Sequence, residues 1–206
     1  ERVINDIENE LYKNNVEIQD GNRIFLSHIN DNLFCVFTVN KTYPFFKDST
    51  PKNMNRFFKT LSTMLVSDDG SGKGCFDYET PSYNISIKEK LYRYFASGNI
   101  NFMLISYTIK KITLLSFFTF ARDYVWTLCT NFEERNNGYM GILFKHFIKL
   151  FKSGELSEYT SYKENYISLY LLRSNPRFDQ TKVFYEENGF TTKHNMDDKL
   201  IMSIEL

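Results

Sequence analysis

The segment from Tyr124 to Phe144 combines residue types that can bind a phosphate group. An apolar run ends, a short polar turn with Arg135 follows, and Gly138 and Gly141 open an amphipathic helix. The backbone N–H groups in the first turn of a helix have no intrahelical partners, and the helix dipole favours an anion there. Glycines at this position let a phosphate approach the backbone closely. They can also simply mark the start of a helix, and taken alone the segment favours that structural interpretation.

Other residues that commonly take part in catalysis or metal binding are scattered along the chain. Cys35, Cys75 and Cys129 lie far apart without a C-x-x-C pair. Their spacing predicts neither a zinc site nor a disulfide framework, and it fits a reducing compartment. The histidines are also isolated, so no metal site is predicted. A glycine-rich stretch lacks the P-loop pattern, because Ser67 replaces its first Gly and no Ser or Thr follows Lys73.

Two motifs make the chain resemble the GNAT superfamily of acetyl-CoA-dependent N-acyltransferases. The first is the run Arg135-Asn136-Asn137-Gly138-Tyr139-Met140. It is similar to the family signature Arg/Gln-x-x-Gly-x-Gly/Ala at the start of the central helix, with Met140 where Gly or Ala is usual. The second motif, similar to a family helix ending in Leu-Tyr-Glu-x-x-Gly-Phe, is the run Val183-Phe184-Tyr185-Glu186-Glu187-Asn188-Gly189-Phe190. The resemblance is strongest over residues 100–206.

This resemblance implies a binding site for acetyl-CoA and no metal. Backbone amides of residues 136–141 would hold the pyrophosphate. Backbone groups of residues 128–130 would align the pantetheine and polarise the thioester carbonyl, as oxyanion-hole donors do. Asn175 is the candidate side chain for a contact with the pantetheine, with a small insertion after it. The cofactor residues implied in this way are Leu128, Cys129, Thr130, Arg135, Asn136, Asn137, Gly138, Tyr139, Met140, Gly141 and Asn175.

The reaction implied by the resemblance is direct attack of an amine on the acetyl thioester. Tyr185 matches the position whose hydroxyl points at the coenzyme sulfur, so it is the general-acid candidate, with a core tyrosine as the alternative. No general base stands out, because Glu133 and Glu134 are better interpreted as capping the turn. Cys129 is expected to be a buried structural cysteine, since direct attack needs no covalent intermediate. Trp126 is expected in the core or in the wall of an acceptor pocket.

Apolar periodicity predicts the elements that must position these residues. Very short links between the predicted strands imply antiparallel neighbours. The element order predicts one α/β (α+β) domain with a GNAT-like, mixed but mostly antiparallel central sheet flanked by helices. Within it, we expect an N-terminal extension over residues 1–30 and a flexible loop over 67–84, beside the acceptor site. Strands are predicted over 32–40, 102–108, 112–121, 124–132, 166–172, 190–196 and 199–205, and helices over 4–11, 51–66, 85–96, 138–152 and 181–188.

The composition narrows the class of partner and the location. Lys plus Arg and Asp plus Glu both number 25, so the chain lacks the basic excess of a duplex nucleic-acid binder. A hydrophobic fraction of 42% excludes wholesale disorder. No apolar run approaches the roughly 18 residues of a membrane span, and no signal peptide is visible. We therefore expect an intracellular, cytoplasmic protein that does not bind membranes.

Together these patterns predict an N-acetyltransferase that transfers an acetyl group from acetyl-CoA to a primary amine. Whether that amine belongs to a small molecule, a lysine or a protein N-terminus is left open by the sequence. The rival hypothesis is a GNAT-like module without catalysis that acts through protein partners. It is motivated by Met140, whose side chain could crowd the pyrophosphate loop.

Overall fold

A computed structural model describes residues 2–3, 5–6, 23–39, 56–78, 99–108, 111–159 and 165–205. The described residues form one eight-stranded sheet. Its strands are β1 Arg23–Asn30, β2 Leu33–Val39, β3 Asn99–Thr108, β4 Lys111–Ala121, β5 Tyr124–Thr130, β6 Tyr166–Leu172, β7 Thr191–Asn195 and β8 Lys199–Glu205. The helices in this part of the chain are α1 Arg56–Leu65, α2 Tyr139–Lys152 and α3 Phe178–Glu187, with a 3-10 turn at Phe132–Glu134.

The strands lie in the order β1-β2-β3-β4-β5-β6-β8-β7. Every neighbouring pair is antiparallel except β5 and β6, which run parallel. This confirms the predicted fold class, a mixed and mostly antiparallel sheet with helices on its faces. Helices of the length and apolarity needed to span a bilayer are absent from the described residues.

Several predicted element boundaries differ from the structure, most notably at β1 and α3. The apolar run before the turn at Asp31 forms β1, so residues 23–30 of the expected extension belong to the sheet. Helix α3 begins at Phe178 rather than at 181, because the Asn175 side chain accepts a hydrogen bond from the Arg177 amide (2.8 Å) and turns the chain there. The predicted helix over 85–96 lies outside the described residues, as do most of 4–11 and the start of 51–66.

Phenylalanines form much of the core on the face of the sheet covered by α2. The Phe147 ring lies 5.0 Å from that of Phe102 and 5.2 Å from those of Phe118 and Phe120, measured between centroids. Aromatic side chains bury large apolar areas and gain further from edge-to-face contacts. Helix α1 covers the opposite face with a smaller, mostly aliphatic cluster. The sheet is therefore buried on both faces around β3 and β4.

Two irregularities of β5 open a gap in the sheet. The pairing of β4 with β5 passes from Phe117–Cys129 to Thr119–Trp126, so β5 holds one more residue than β4 over this span. This β-bulge includes Thr127, whose φ is 60°. The parallel β5–β6 pairing recorded in the structure consists of Tyr124–Ser168 and Val125–Leu169, at the start of β5. The later residues of β5 and β6 line a common cleft instead.

Candidate functional site

The cleft between β5 and β6 has a volume of about 1580 Å³. Its walls are the end of β5, the first turn of α2, the start of α3 and the loop over 72–78. It brings together most of the residues implied by the sequence resemblance, although Cys129 and Asn137 do not line it. Those that do are Leu128, Thr130, Arg135, Asn136, Gly138, Tyr139, Met140, Gly141, Asn175 and Tyr185.

The first turn of α2 presents uncapped backbone donors to this cleft. Gly138 is the N-cap residue and has no side chain to bond the first N–H groups. Its φ is 73°, and that of Asn136 is 68°, so two left-handed residues shape the turn. Successive amides in such turns can form a concave anion site. At Gly141, a Cβ atom would only reach ordinary contact with the Phe184 ring, at 3.9 Å. Packing in this structure therefore does not demand glycine at 141.

Arg135 uses much of its guanidinium group within the protein. Nη2 donates to the Lys73 carbonyl (2.7 Å) and Nε to the Thr130 carbonyl (3.3 Å), while the group lies over the Phe132 ring at 4.9 Å. Burial, and then the nearby Arg177 guanidinium, lower the pKa of Arg135. Both arginines line the cleft. Arg135 thus holds the 73–75 loop against the end of β5, and Arg177 adds a positive charge on the side of α3.

Tyr185 lines the cleft and is almost completely buried. It is 5% exposed, and its ring packs near those of Phe144, Phe184 and Phe190. Burial raises the pKa of its phenol well above the ordinary value, so the group is neutral and protonated around pH 7. A neutral phenol that lines a cleft can donate a proton to a leaving group. The same packing also suits a core tyrosine, the alternative interpretation from the sequence.

Two solved structures resemble this fold. One is the PaiA N-acetyltransferase of Thermoplasma acidophilum in complex with coenzyme A, with 19% identity over 72% of this chain and 92% of that chain, at a TM-score of 0.51. The other is an acetyltransferase of the GNAT family from Bacillus anthracis, with 13% identity over 88% of this chain and 98% of that chain, at a TM-score of 0.50. The fold is GNAT-like. No protein-family model matches the sequence, and no curated protein matches it either.

On this GNAT-like fold, a disulfide joins the loop after α1 to the central strand β5. It links Cys75 to Cys129, with 5.7 Å between their Cα atoms. The spacing predicted no disulfide, and that prediction is wrong for this pair, whereas Cys129 is buried as expected. The bond could not be inferred from spacing, because the two cysteines are 54 residues apart and only the packing of the loop on β5 brings them together. The remaining cysteine, Cys35, is free and buried.

Hydrogen bonds also hold the described part of the loop over 67–84. The Asp77 carboxylate accepts from the backbone amides of Ser67 (2.9 Å) and Gly74 (2.7 Å). Gly74 has no room for a side chain, since a Cβ atom would lie 2.6 Å from the Ser67 nitrogen and 2.7 Å from the Val66 Cα. Residues 67–78 thus form a folded wall of the cleft, and residues 79–84 lie outside the described residues.

The structure also shows the surroundings of Met140, which the rival hypothesis expects to crowd the turn, and of Glu133 and Glu134, which were expected to cap it. Met140 lines the cleft and packs in part against the core on the α2 side. Asn131 caps the 3-10 turn by accepting from the Glu133 amide (3.3 Å), and the exposed Glu133 carboxylate pairs with Lys73 at 3.4 Å. Glu134 lines the cleft. These contacts agree with a structural role for Glu133.

Sequence reasoning missed several cleft residues, among them Tyr124, Tyr170 and Arg177. The first two alternate with buried apolar neighbours along β5 and β6, a pattern that signals a residue on the opposite face but not what that face does. Trp126 was expected in the core or in an acceptor wall; it is 43% exposed and lines the cleft. In the described part of the chain, no group of three His, Cys, Asp or Glu residues is arranged to hold a metal ion.

Proposed function

We propose that this protein is an N-acetyltransferase that binds acetyl-CoA in the cleft between β5 and β6. The observation that carries the proposal is the uncapped first turn of α2, shaped by left-handed Asn136 and Gly138, at a cleft that also holds neutral Tyr185. A GNAT-like fold, which it shares with a coenzyme A complex, adds support. Arg177 contributes positive charge suited to a phosphate-bearing ligand.

Each wall of the cleft has a distinct part in the proposed reaction. Backbone amides of residues 136–141 hold the pyrophosphate, and the amide of Asn175 bonds the pantetheine. Backbone groups of residues 128–130, beside the Thr127 bulge, align the thioester and polarise its carbonyl. Acetyl-CoA supplies an activated acyl group, and the amine of the acceptor attacks its carbonyl carbon.

Tyr185 acts as the general acid in this scheme. As the new C–N bond forms and the C–S bond breaks, Tyr185 gives its phenolic proton to the leaving sulfur, the attacking nitrogen loses its extra proton to water, and the phenolate takes a proton back from water. The raised pKa keeps that proton in place until the thiolate appears. The buried ring also excludes water from the thioester, which protects it from hydrolysis.

The rival hypothesis, a binding module without catalysis, was motivated by crowding from Met140. Because Met140 packs in part against the core, its side chain is not wholly directed at the phosphate turn. This contact argues against crowding of the turn, and the first experiment separates the two hypotheses.

Thermal unfolding with and without acetyl-CoA is that experiment, with desulfo-CoA and ATP as comparators. A ligand that binds only the folded state at 100 times its Kd stabilises it by about 2.7 kcal/mol. We expect a clear upward shift with acetyl-CoA and desulfo-CoA and a much smaller one with ATP. No shift at millimolar acetyl-CoA would refute the proposed function and favour the binding module.

The Tyr185→Phe variant tests the catalytic role once binding is established. Removing a general acid costs on the order of 10²- to 10⁴-fold in rate. We expect kcat for amine acetylation to fall by that amount while the thermal shift with acetyl-CoA is retained. Unchanged kcat would assign Tyr185 to the core and remove it from the mechanism.

A further inference from the structure

Three aromatic side chains cluster where β5 and β6 part. We call Tyr124, Trp126 and Tyr170 the ring cluster. The rings of Tyr124 and Tyr170 stack at 4.8 Å between centroids, and Trp126 lies 5.6 Å from the first and 5.8 Å from the second. All three residues line the cleft described above.

The ring cluster occupies the face of the sheet opposite α2. Val125 and Leu169 belong to the core on the α2 side, so Trp126 and Tyr170, their neighbours in the chain, point to the other face. The pairing of Trp126 with Thr119 agrees with this, because Phe117, two residues earlier on β4, packs in the cluster covered by α1. The first turn of α2 and the ring cluster thus approach the cleft from opposite faces.

Two of the rings are fixed before any ligand arrives. The hydroxyls of Tyr124 and Tyr170 are hydrogen-bonded to each other, and this bond is the main reason that the pKa of Tyr124 is raised, to about 12. Lys199 places its ammonium group 5.3 Å from the centre of the Tyr170 ring. The ring cluster therefore offers a preorganised wall whose most exposed surface is the indole of Trp126, at 43% exposure.

The chemistry of this wall points to one class of acceptor. An exposed indole stacks on flat aromatic groups and attracts an ammonium group to its face.

We propose that the ring cluster binds the acceptor and selects a primary amine carried on a short chain from an aromatic ring. The inference rests on the proposed function, because it assigns the acceptor side of the same cleft. In this arrangement the aromatic group stacks on Trp126, and the amine reaches the thioester beside the adjacent bulge at Thr127. The first turn of α2 remains available to the phosphates on the other side.

Trp126 itself reports binding, because it is the single tryptophan in the chain. Its fluorescence is followed while 2-phenylethylamine is added to protein saturated with desulfo-CoA. The comparison ligand is 2-cyclohexylethylamine, which has the same carbon skeleton without the aromatic ring, and glucosamine, cadaverine and AMP complete the panel. An aromatic pair adds enough free energy for about two- to tenfold tighter binding. We expect a saturable change with 2-phenylethylamine and a preference of that size over the cyclohexyl analogue.

Variants then locate the preference in the ring cluster. Tyr170→Leu removes the partner of Tyr124 and should bring the two Kd values close together. Tyr166→Leu is the matched control, since Tyr166 lies on the same face of β6 but does not line the cleft, and it should keep the preference. If Tyr170→Leu fails to fold, Trp126→Leu is assayed by KM, which should rise for 2-phenylethylamine with little change in kcat.

The outcomes separate this inference from the proposed function. Equal affinity for the aromatic and cyclohexyl amines, or tighter binding of glucosamine or cadaverine, would overturn the aromatic-acceptor assignment even if acetyl-CoA binds. If AMP changes the Trp126 fluorescence with a lower Kd than 2-phenylethylamine does, the ring cluster binds the nucleotide, and the aromatic-acceptor assignment is overturned as well. Loss of the acetyl-CoA thermal shift, by contrast, would refute the proposed function, while the same fluorescence titration carried out without desulfo-CoA would still measure amine binding.

Discussion

The Cys75–Cys129 disulfide should contribute strongly to the stability of this protein. A cross-link stabilises mainly by restricting the unfolded chain, and its effect grows with the length of the closed loop. The two cysteines are 54 residues apart. For a loop of this length, the chain-entropy relation gives about 4 kcal/mol at 25 °C. Total stabilities of single domains are about 5–15 kcal/mol, so opening this bond should remove a large share of the whole.

The assay is urea unfolding of the oxidised protein, the protein reduced with dithiothreitol, and the Cys75→Ser variant. We expect the reduced protein and the variant to lose about 4 kcal/mol relative to the oxidised protein. The variant is also the internal control, because its unfolding curve should not respond to dithiothreitol. Limited proteolysis should find new cleavage sites within residues 67–78, since the bond holds that loop on β5.

Counting thiols provides an independent check. The chain has 3 cysteines, and with Cys75 and Cys129 paired only buried Cys35 remains. A thiol reagent should therefore find one thiol per chain in denaturant and essentially none in the native protein. Three thiols in the denatured, never-reduced protein would refute the bond. A difference below about 1 kcal/mol between oxidised and reduced protein would refute the entropic reasoning.

Three further predictions concern glycines, the phenylalanine core and alkaline pH. In urea unfolding, Gly74→Ala should destabilise the protein by about 1–3 kcal/mol, because the added Cβ atom meets backbone atoms. Gly141→Ala should be neutral or slightly stabilising by the same measurement. Equal effects of the two substitutions would contradict the packing around Gly74. Phe147→Ala should cost about 3–5 kcal/mol by the same measurement, since the ring contacts three other phenylalanines of the sheet, and a loss under 1 kcal/mol would argue against this core. The raised pKa of Tyr185 contributes stability below about pH 10, where tyrosine in the unfolded chain is still protonated, and that stability is lost as pH rises further. Tyr185→Phe should therefore lose less stability than the wild type between pH 9 and 11, and parallel curves would show that Tyr185 is not protected from ionising.

Local patterns predicted most of the described elements. The strand over 166–172 has the predicted bounds, and α2 begins one residue after the predicted start. Such elements can be predicted because apolar periodicity and the glycines at helix ends are local signals that extend over only a few residues. The strand β1 was missed because its short run is not distinctive by itself and becomes a strand by pairing with β2.

The candidate site was predictable only where it depends on short motifs. The turn before α2 and the segment around Tyr185 could be picked out from residue order, and the structure brings both to one cleft. The hydrogen bonds of the Arg135 side chain could not be predicted from residue order, because they depend on how the chain folds around Lys73 and Thr130. Residue order also did not indicate that Asn137 lies outside the lining of the cleft.

The sequence by itself determined the sheet-and-helix composition, the glycine-containing turn before α2 and the segment around Tyr185, because these depend on neighbours a few residues apart. Only the tertiary structure decided the Cys75–Cys129 bond, the fork between β5 and β6, and the ring cluster on the face opposite α2. Each of these joins residues separated by tens of positions. Their contacts arise from the packing of strands and loops against one another, and no periodic pattern in the sequence indicates such packing.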